Sequence, residues 1–216
     1  MQKFLRLLII LFLFIVCLLI GANLANVTLP ENNNKTNLVE VDETQTQFLI
    51  FVIDNFENRK PQLQSIWSVI FYFQDSNGIM FIPLTDKTQP NFDELEKSFI
   101  LTPGRELNVR TIKFFNTKFR TKWNASIVFD QIALTHLLKW VSNNQINETP
   151  DSLSLTTIHI NTLCTSLTNN IPSIEELDWT LLYPDHFKSN LSTDQMKSIW
   201  HKFEDSSSLL CETIEN

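Results

Sequence analysis

Asp54 is the first residue placed to do chemistry. It ends an unbroken apolar run, Phe48-Leu49-Ile50-Phe51-Val52-Ile53, of the kind that makes a central strand buried on both faces. Open α/β sheets bind ligands beyond the carboxyl ends of their strands, so a carboxylate there is positioned to hold Mg²⁺ against a phosphate. The competing reading is a turn-forming Asp that bonds its own backbone. Arg59 and Lys60 follow shortly after it. Further on, Arg105, Arg110, Lys113, Lys118, Arg120 and Lys122 are interleaved with Phe114, Phe115, Phe119 and Trp123. Cations in that setting suit an anionic ligand or a lipid headgroup. They suit equally the solvated face of an amphipathic segment.

Several chemistries are excluded. Beyond residue 22 only Gly78 and Gly104 remain, so there is no Gly-rich loop to cradle the phosphates of a nucleotide. No G-x-S-x-G elbow occurs either. His136, His159, His186 and His201 show no H-x-x-x-H or histidine-carboxylate spacing of a zinc site and read as surface or helix-face residues.

The elements that must position Asp54 follow from hydrophobic period and turn residues. A second β-rich run, Ile66 to Phe73, and a third, Ile79 to Pro83, flank Asp75-Ser76-Asn77-Gly78 and read as a hairpin about Asn-Gly. Asn91 is placed to cap a helix through about Leu101, with Asp93 and Glu94 in its first turn and Pro103-Gly104 as its stop. Asn108 to Lys122 reads as a helix. Ser126 to Phe129 is a short strand ending at Asp130, after which Leu134, Leu137, Leu138 and Val141 make a helical stripe. Asn143 to Asp151 is a loop, and Ile158, Leu163 and Leu167 predict a helix that carries Cys164. Ser173 with Glu176, and Ser192 with Gln195, fit capping boxes and predict two more helix starts. Leu209 to Ile214 is an edge strand. Strands mixed with helices predict an α/β domain, a mixed sheet in a helix-sheet-helix sandwich.

The chain opens with Lys3 and Arg6 before an apolar run from Leu7 to Ile20. With its neighbours that run approaches the roughly 20 residues a helix needs to span a bilayer, and the preceding charges keep the N-terminus inside. The expectation is a signal anchor over residues 1–22, a polar tether over 23–46 and an extracytoplasmic domain over 47–216. A cleaved signal peptide, with Ala22 and Ala25 near the cut, is the alternative. The 216 residues carry 17 Phe and 5 Trp and a net charge of -7, with a pI near 5.1, which argues for a real core and against a nucleic-acid partner. Cys164 and Cys211, the two cysteines outside the anchor, form a disulfide pair in an oxidising space or stay as two buried thiols. The sequons at Asn26, Asn34, Asn124, Asn147 and Asn190 are little more than this Asn-, Ser- and Thr-rich composition brings by chance.

The order of elements resembles the LytR-CpsA-Psr (LCP) family of bacterial envelope proteins. The likeness runs through Phe48 to Asp54, Leu63 to Phe73, the hairpin, Phe81-Ile82-Pro83 and Ala125 to Val141, about 95 residues. Of that family's Gly-x-Asp motif, Val52-Ile53-Asp54 keeps the Asp; its Arg-Ser-Asp motif is replaced by Leu63-Gln64-Ser65. Its Ile-Pro-Arg-Asp motif is replaced by Ile82-Pro83-Leu84, followed by Thr85-Asp86. The resemblance implies a single-pass membrane protein of the cell envelope that meets polyprenyl-phosphate lipid or envelope glycopolymer. Members transfer glycopolymers from polyprenyl pyrophosphate using arginines and an Asp-held Mg²⁺. Loss of those arginines removes the charge that compensates the phosphates. The reading is therefore a catalytically degenerate binding or scaffold module. The alternative is a divergent glycopolymer phosphotransferase in which Asp54 and Asp86 act with Arg59 and Arg105 or Arg110.

Overall fold

The computed structural model describes residues 44–73, 77–142, 157–206 and 209–214. The anchor, almost all of the tether and the loop from Asn143 to Asp151 lie outside the described residues. Among the described residues no helix is long and apolar enough to cross a membrane.

Six strands form one mixed sheet: β1 (Gln45–Ile53), β2 (Leu63–Phe73), β3 (Asn77–Asp86), β4 (Ala125–Asp130), β5 (Phe187–Ser189) and β6 (Leu209–Thr213), in the order β5-β4-β1-β2-β3-β6. β1 runs parallel to β4 and β3 parallel to β6, while the other neighbours are antiparallel. Helices α1 (Phe92–Ser98) and α2 (Val109–Phe119) lie over one face. Helices α3 (Gln131–Val141), α4 (Thr157–Asn169) and α5 (Thr193–Glu204) lie over the other. This is the sandwich expected from the sequence, and the reason is visible in β1. Its side chains alternate between the two faces, so Leu49, Phe51 and Ile53 pack with Leu95 and Phe115. Phe48 and Val52 meet Leu134, Leu138, Ile160 and Phe203 on the other face. Burial of each such side chain contributes about 1.5–3 kcal/mol.

Several local expectations are corrected. β1 starts at Gln45, with Thr46 fully buried, two residues before the expected start of the domain. The hairpin exists, but Asn77 pairs with Phe73 and Gly78 with Tyr72, so Asn77-Gly78 belongs to the ladder instead of the turn. A Cβ at Gly78 would fall 2.1 Å from Tyr72 Cζ, so a larger residue there would make the end of the Tyr72 side chain move aside. α1 stops at Ser98, and the Asn91 side chain makes no cap bond; its Oδ1 accepts the Thr85 hydroxyl at 3.2 Å. Ser173 starts only a 3₁₀ turn, Ile174–Glu176, and its side chain makes no cap bond to it; the Ile174 N–H goes instead to Glu204 Oε1 on α5. The Ser192–Gln195 capping box forms as expected. β5, too short to show a period of two, escapes sequence reading.

Cys164 on α4 and Cys211 on β6 are joined by a disulfide, with Cα atoms 5.1 Å apart. The expected bridge thus ties the edge strand to the helical layer.

Candidate functional site

The loop between β1 and β2 closes on itself through Asp54. Asp54 Oδ1 accepts the Asn55 and Gln62 backbone N–H groups, each at 2.7 Å, and Oδ2 accepts Asn58 Nδ2 at 2.8 Å. Asp54 N–H donates back to the Gln62 carbonyl at 3.0 Å. The carboxylate therefore fastens residues 54–62 into a closed loop. Its donors are backbone and amide groups, and no arginine or lysine among the described residues pairs with it. Asp86, at the end of β3, is engaged in the same way: Oδ1 accepts Thr88 N–H at 2.8 Å and Thr88 Oγ1 at 2.5 Å.

The cations of that closed loop line a groove. Arg59, Lys60 and Arg105 line a space of about 880 Å³, walled also by Pro61, Phe99, Ile100 and Leu101, with Glu96 as its one acidic residue. Arg105 is held there by a small hairpin. Leu101 bridges Leu107, Thr102 N–H donates to the Glu106 carbonyl, and Arg105 N–H closes the turn onto the Thr102 carbonyl, both at 2.8 Å. Arg105 adopts φ 63°, the left-handed region that costs a non-glycine residue energy and that recurs where a side chain is presented for function. Behind this tip, Thr111 of α2 buries its hydroxyl between the Ser98 carbonyl and the Ile100 N–H, at 3.0 Å each. Among the described residues Arg59, Lys60 and Arg105 form no ion pair. The groove is therefore a cationic surface with an apolar wall, suited to a ligand that is anionic at one end and apolar along its body.

Arg110 stands apart. It is exposed on the first turn of α2, outside the groove lining, where its N–H takes the Asn108 cap. The rest of the basic cluster divides as an amphipathic helix does: Phe115 is fully buried, Lys113 and Lys118 are exposed, and Lys118 pairs with Glu94 at 2.7 Å.

Mg²⁺ does not fit the residues that the resemblance would offer it. Both accepting directions of Asp54 Oδ1 are taken by backbone N–H groups. Among the described residues no three His, Cys, Asp or Glu side chains gather where they could hold a metal ion, whereas a hard cation needs several oxygen ligands.

Sequence reasoning missed a buried, multiply bonded carboxylate at this end of the sheet. Asp130 is fully buried at the end of β4. Its Oδ1 caps α3 by accepting the Ile132 and Ala133 N–H groups at 3.0 Å, and its Oδ2 meets His186 Nδ1 at 2.8 Å and Phe56 N–H at 3.5 Å. The N-cap was legible as an Asp directly before a helical stripe. The partner lies 56 residues away in sequence and was not. His201 is likewise paired, to Glu204 at 2.7 Å.

On the opposite face of the sheet lies an apolar cleft of about 180 Å³, bounded by Phe48 and Ile50 of β1, Leu137 and Trp140 of α3, and Ile199 and Trp200 of α5. None of the candidate site residues reaches it.

No family model matches this sequence, and no curated protein matches it. Several solved structures are similar to the chain at low sequence identity. The chain is similar to Bacillus subtilis TagV at 10% identity and a TM-score of 0.49, over 81% of this chain and 86% of that one. It is similar to yvhJ from the same organism, described as a transcriptional regulator, at 7% identity and a TM-score of 0.48, over 81% and 84%. A structure of TagT bound to LI-WTA is similar at 8% identity and a TM-score of 0.43, over 80% and 78%. The chemistry assigned to the site rests on this chain's own residues.

Proposed function

We propose that this chain is a membrane-anchored, extracytoplasmic LCP-like domain of the bacterial cell envelope, which binds an anionic envelope lipid or glycopolymer without transferring it. One observation carries the reading. Arg59, Lys60 and Arg105 line one groove and form no ion pair among the described residues, while Asp54 and Asp86 are spent inside their own turns. Phosphoryl transfer needs charge compensation and a nucleophile-positioning group converging on the same phosphate. Here the cations are held apart from the carboxylates, which supports capture over turnover. The N-terminal apolar run supports the membrane placement.

The test uses the full chain in neutral nanodiscs, titrated with farnesyl pyrophosphate as a short anionic prenyl probe. Neutralising Arg59, Lys60 and Arg105 together to Gln is expected to weaken binding about tenfold, more at low salt than at high, since exposed charges are screened. Unchanged affinity in the triple variant would remove the groove from the reading. Mg²⁺-dependent release of phosphate that Asp54→Ala abolishes would replace it with the phosphotransferase.

A further inference from the structure

The sheet face beneath α1 and α2 is covered over only part of its width. Strand register sets side chains of that face in rows across β2, β3 and β6: Tyr72, Gly78 and Leu210 form one row, and Ile70, Met80 and Glu212 the next. Ile82 continues the face on β3, and Ile214, whose N–H donates to the Phe81 carbonyl at 3.0 Å, continues it on β6. Leu49 of β1 and Ile66 of β2 belong to the core under the helices, whereas Ile70, Met80, Ile82, Leu210 and Ile214 belong to neither apolar core. The first three are partly exposed, and Leu210 and Ile214 are 47% and 40% exposed. A contiguous apolar patch of this kind marks a surface that meets something other than water.

The place where the chain enters the domain says what that is. Gln45 pairs with Tyr72, and the Thr44 carbonyl accepts the Phe73 N–H at 2.8 Å, so residues 23–43 join the domain at the row that carries Tyr72 and Leu210. Roughly 20 residues reach no more than about 70 Å even when fully extended. A domain anchored through them stays close to the bilayer, and a contact too weak to hold a free domain there suffices for a tethered one. The rim of the patch has the composition of a membrane interface, where Trp, Tyr, Lys and Arg gather. Tyr72 stands within it, and Trp123 donates Nε1 to Ser68 Oγ at 3.0 Å on the same face, with Arg120 and Lys122 exposed beside it. Glu212 is the one charged side chain in these rows, and it lies exposed on the edge strand, where it reaches water.

We propose that this bare part of the sheet rests on the bilayer surface, with Ile70, Met80, Ile82, Leu210 and Ile214 set into the boundary between headgroups and acyl chains. The inference rests on the membrane anchorage proposed above and is independent of the cationic groove. Its partner is the bilayer itself, met through apolar and aromatic groups, so neutral lipid is enough. Contact through this face gives the domain a fixed orientation on the membrane.

The test uses the full chain with ¹³C-methyl Ile and Leu, one chain per nanodisc of phosphatidylcholine that includes a nitroxide-labelled phosphatidylcholine. Relaxation by the nitroxide falls with the sixth power of distance. The methyls of Ile70, Ile82, Leu210 and Ile214 are expected to broaden, while Leu181, which is also 47% exposed but lies beside His136 and Lys139 of α3, stays sharp. Leu210→Gln combined with Ile214→Gln, at exposed positions that leave the core intact, should lower the relaxation at Ile70 and Ile82 about tenfold, the worth of two apolar side chains withdrawn from the contact. Ile9 and Ile15, in the N-terminal apolar run, report the anchor in the same spectrum. If they broaden and the face does not, or if the double variant changes nothing, this proposal falls and the anchorage stands. If they stay sharp, the anchorage fails and the proposal with it. Protection of the face that appears only with two chains per disc would overturn the proposal by assigning the face to a second copy.

Discussion

Asp54 and Asp130 end adjacent parallel strands, one step apart in register, since Ile53 pairs with Asp130. Locally they look alike, each an Asp closing a short apolar run. Their fates differ. Asp54 stays half-buried and accepts only from residues within eight positions of itself. Asp130 is fully buried and gathers the start of α3, the loop at Phe56 and the ring of His186. The comparison teaches that a carboxylate at a strand end is a local latch or a tertiary hub according to what the rest of the chain delivers to it. In the first case its loss opens one loop. In the second it orphans donors in three segments, those of Phe56 and Ala133 buried, which is the expensive outcome.

The largest test of this difference is Asp130→Ala, expected to lower global stability by about 3 kcal/mol through loss of the helix cap and of the bonds to Phe56 and His186. Chemical denaturation measures it, and a loss near that of Asp54→Ala would erase the distinction. Asp130→Asn sharpens it, because Asn caps as well as Asp; less than half of the loss is expected. Asp54→Ala should cost about 1.5 kcal/mol and act locally. Hydrogen exchange is expected to speed at the Asn55 and Gln62 amides, with Phe51 in mid-strand still protected.

Glu204 extends the comparison to a third carboxylate that receives a distant N–H. Burial pushes its carboxyl up, but the Ile174 N–H and His201 outweigh that and hold it below the ordinary carboxylate value. A carboxyl held low in the folded chain stabilises above its unfolded pKa, and that share is lost as pH falls through the folded one. Glu204→Gln is therefore expected to cost about 1 kcal/mol at pH 7, with the gap to wild type closing below about pH 4. A gap independent of pH would contradict it. The smallest effect belongs to Asp86→Ala, about 0.5 kcal/mol, because its bonds to Thr88 lie at an exposed turn.

The two faces of the sheet repeat the lesson on a larger scale. Against α1 and α2, Leu49, Phe51, Ile53 and Phe115 are fully enclosed. Against α3 and α5, Ile50, Leu137, Trp140 and Trp200 remain partly exposed around the cleft. Both faces are drawn from the same strand by simple alternation, and nothing in β1 tells them apart.

By itself the amino-acid sequence determined what depends on neighbours a few residues apart. The apolar run of β1, the hairpin, the stripe of α3 and the Ser192 capping box are set by periods of two and of 3.6 and by side chains that reach their own backbone. The pairing of Cys164 with Cys211 was also within reach, because the set of possible partners held only two. Tertiary structure alone decided the rest. It turned Asn91 from a cap into a partner of Thr85, reduced the Ser173 helix to one turn, brought Arg105 but not Arg110 to Arg59, gave His186 to Asp130 and left Trp179 with a donor and no acceptor. Each of those outcomes depends on groups brought together from distant parts of the chain, and a contact of that range leaves no period or spacing in the sequence to be read.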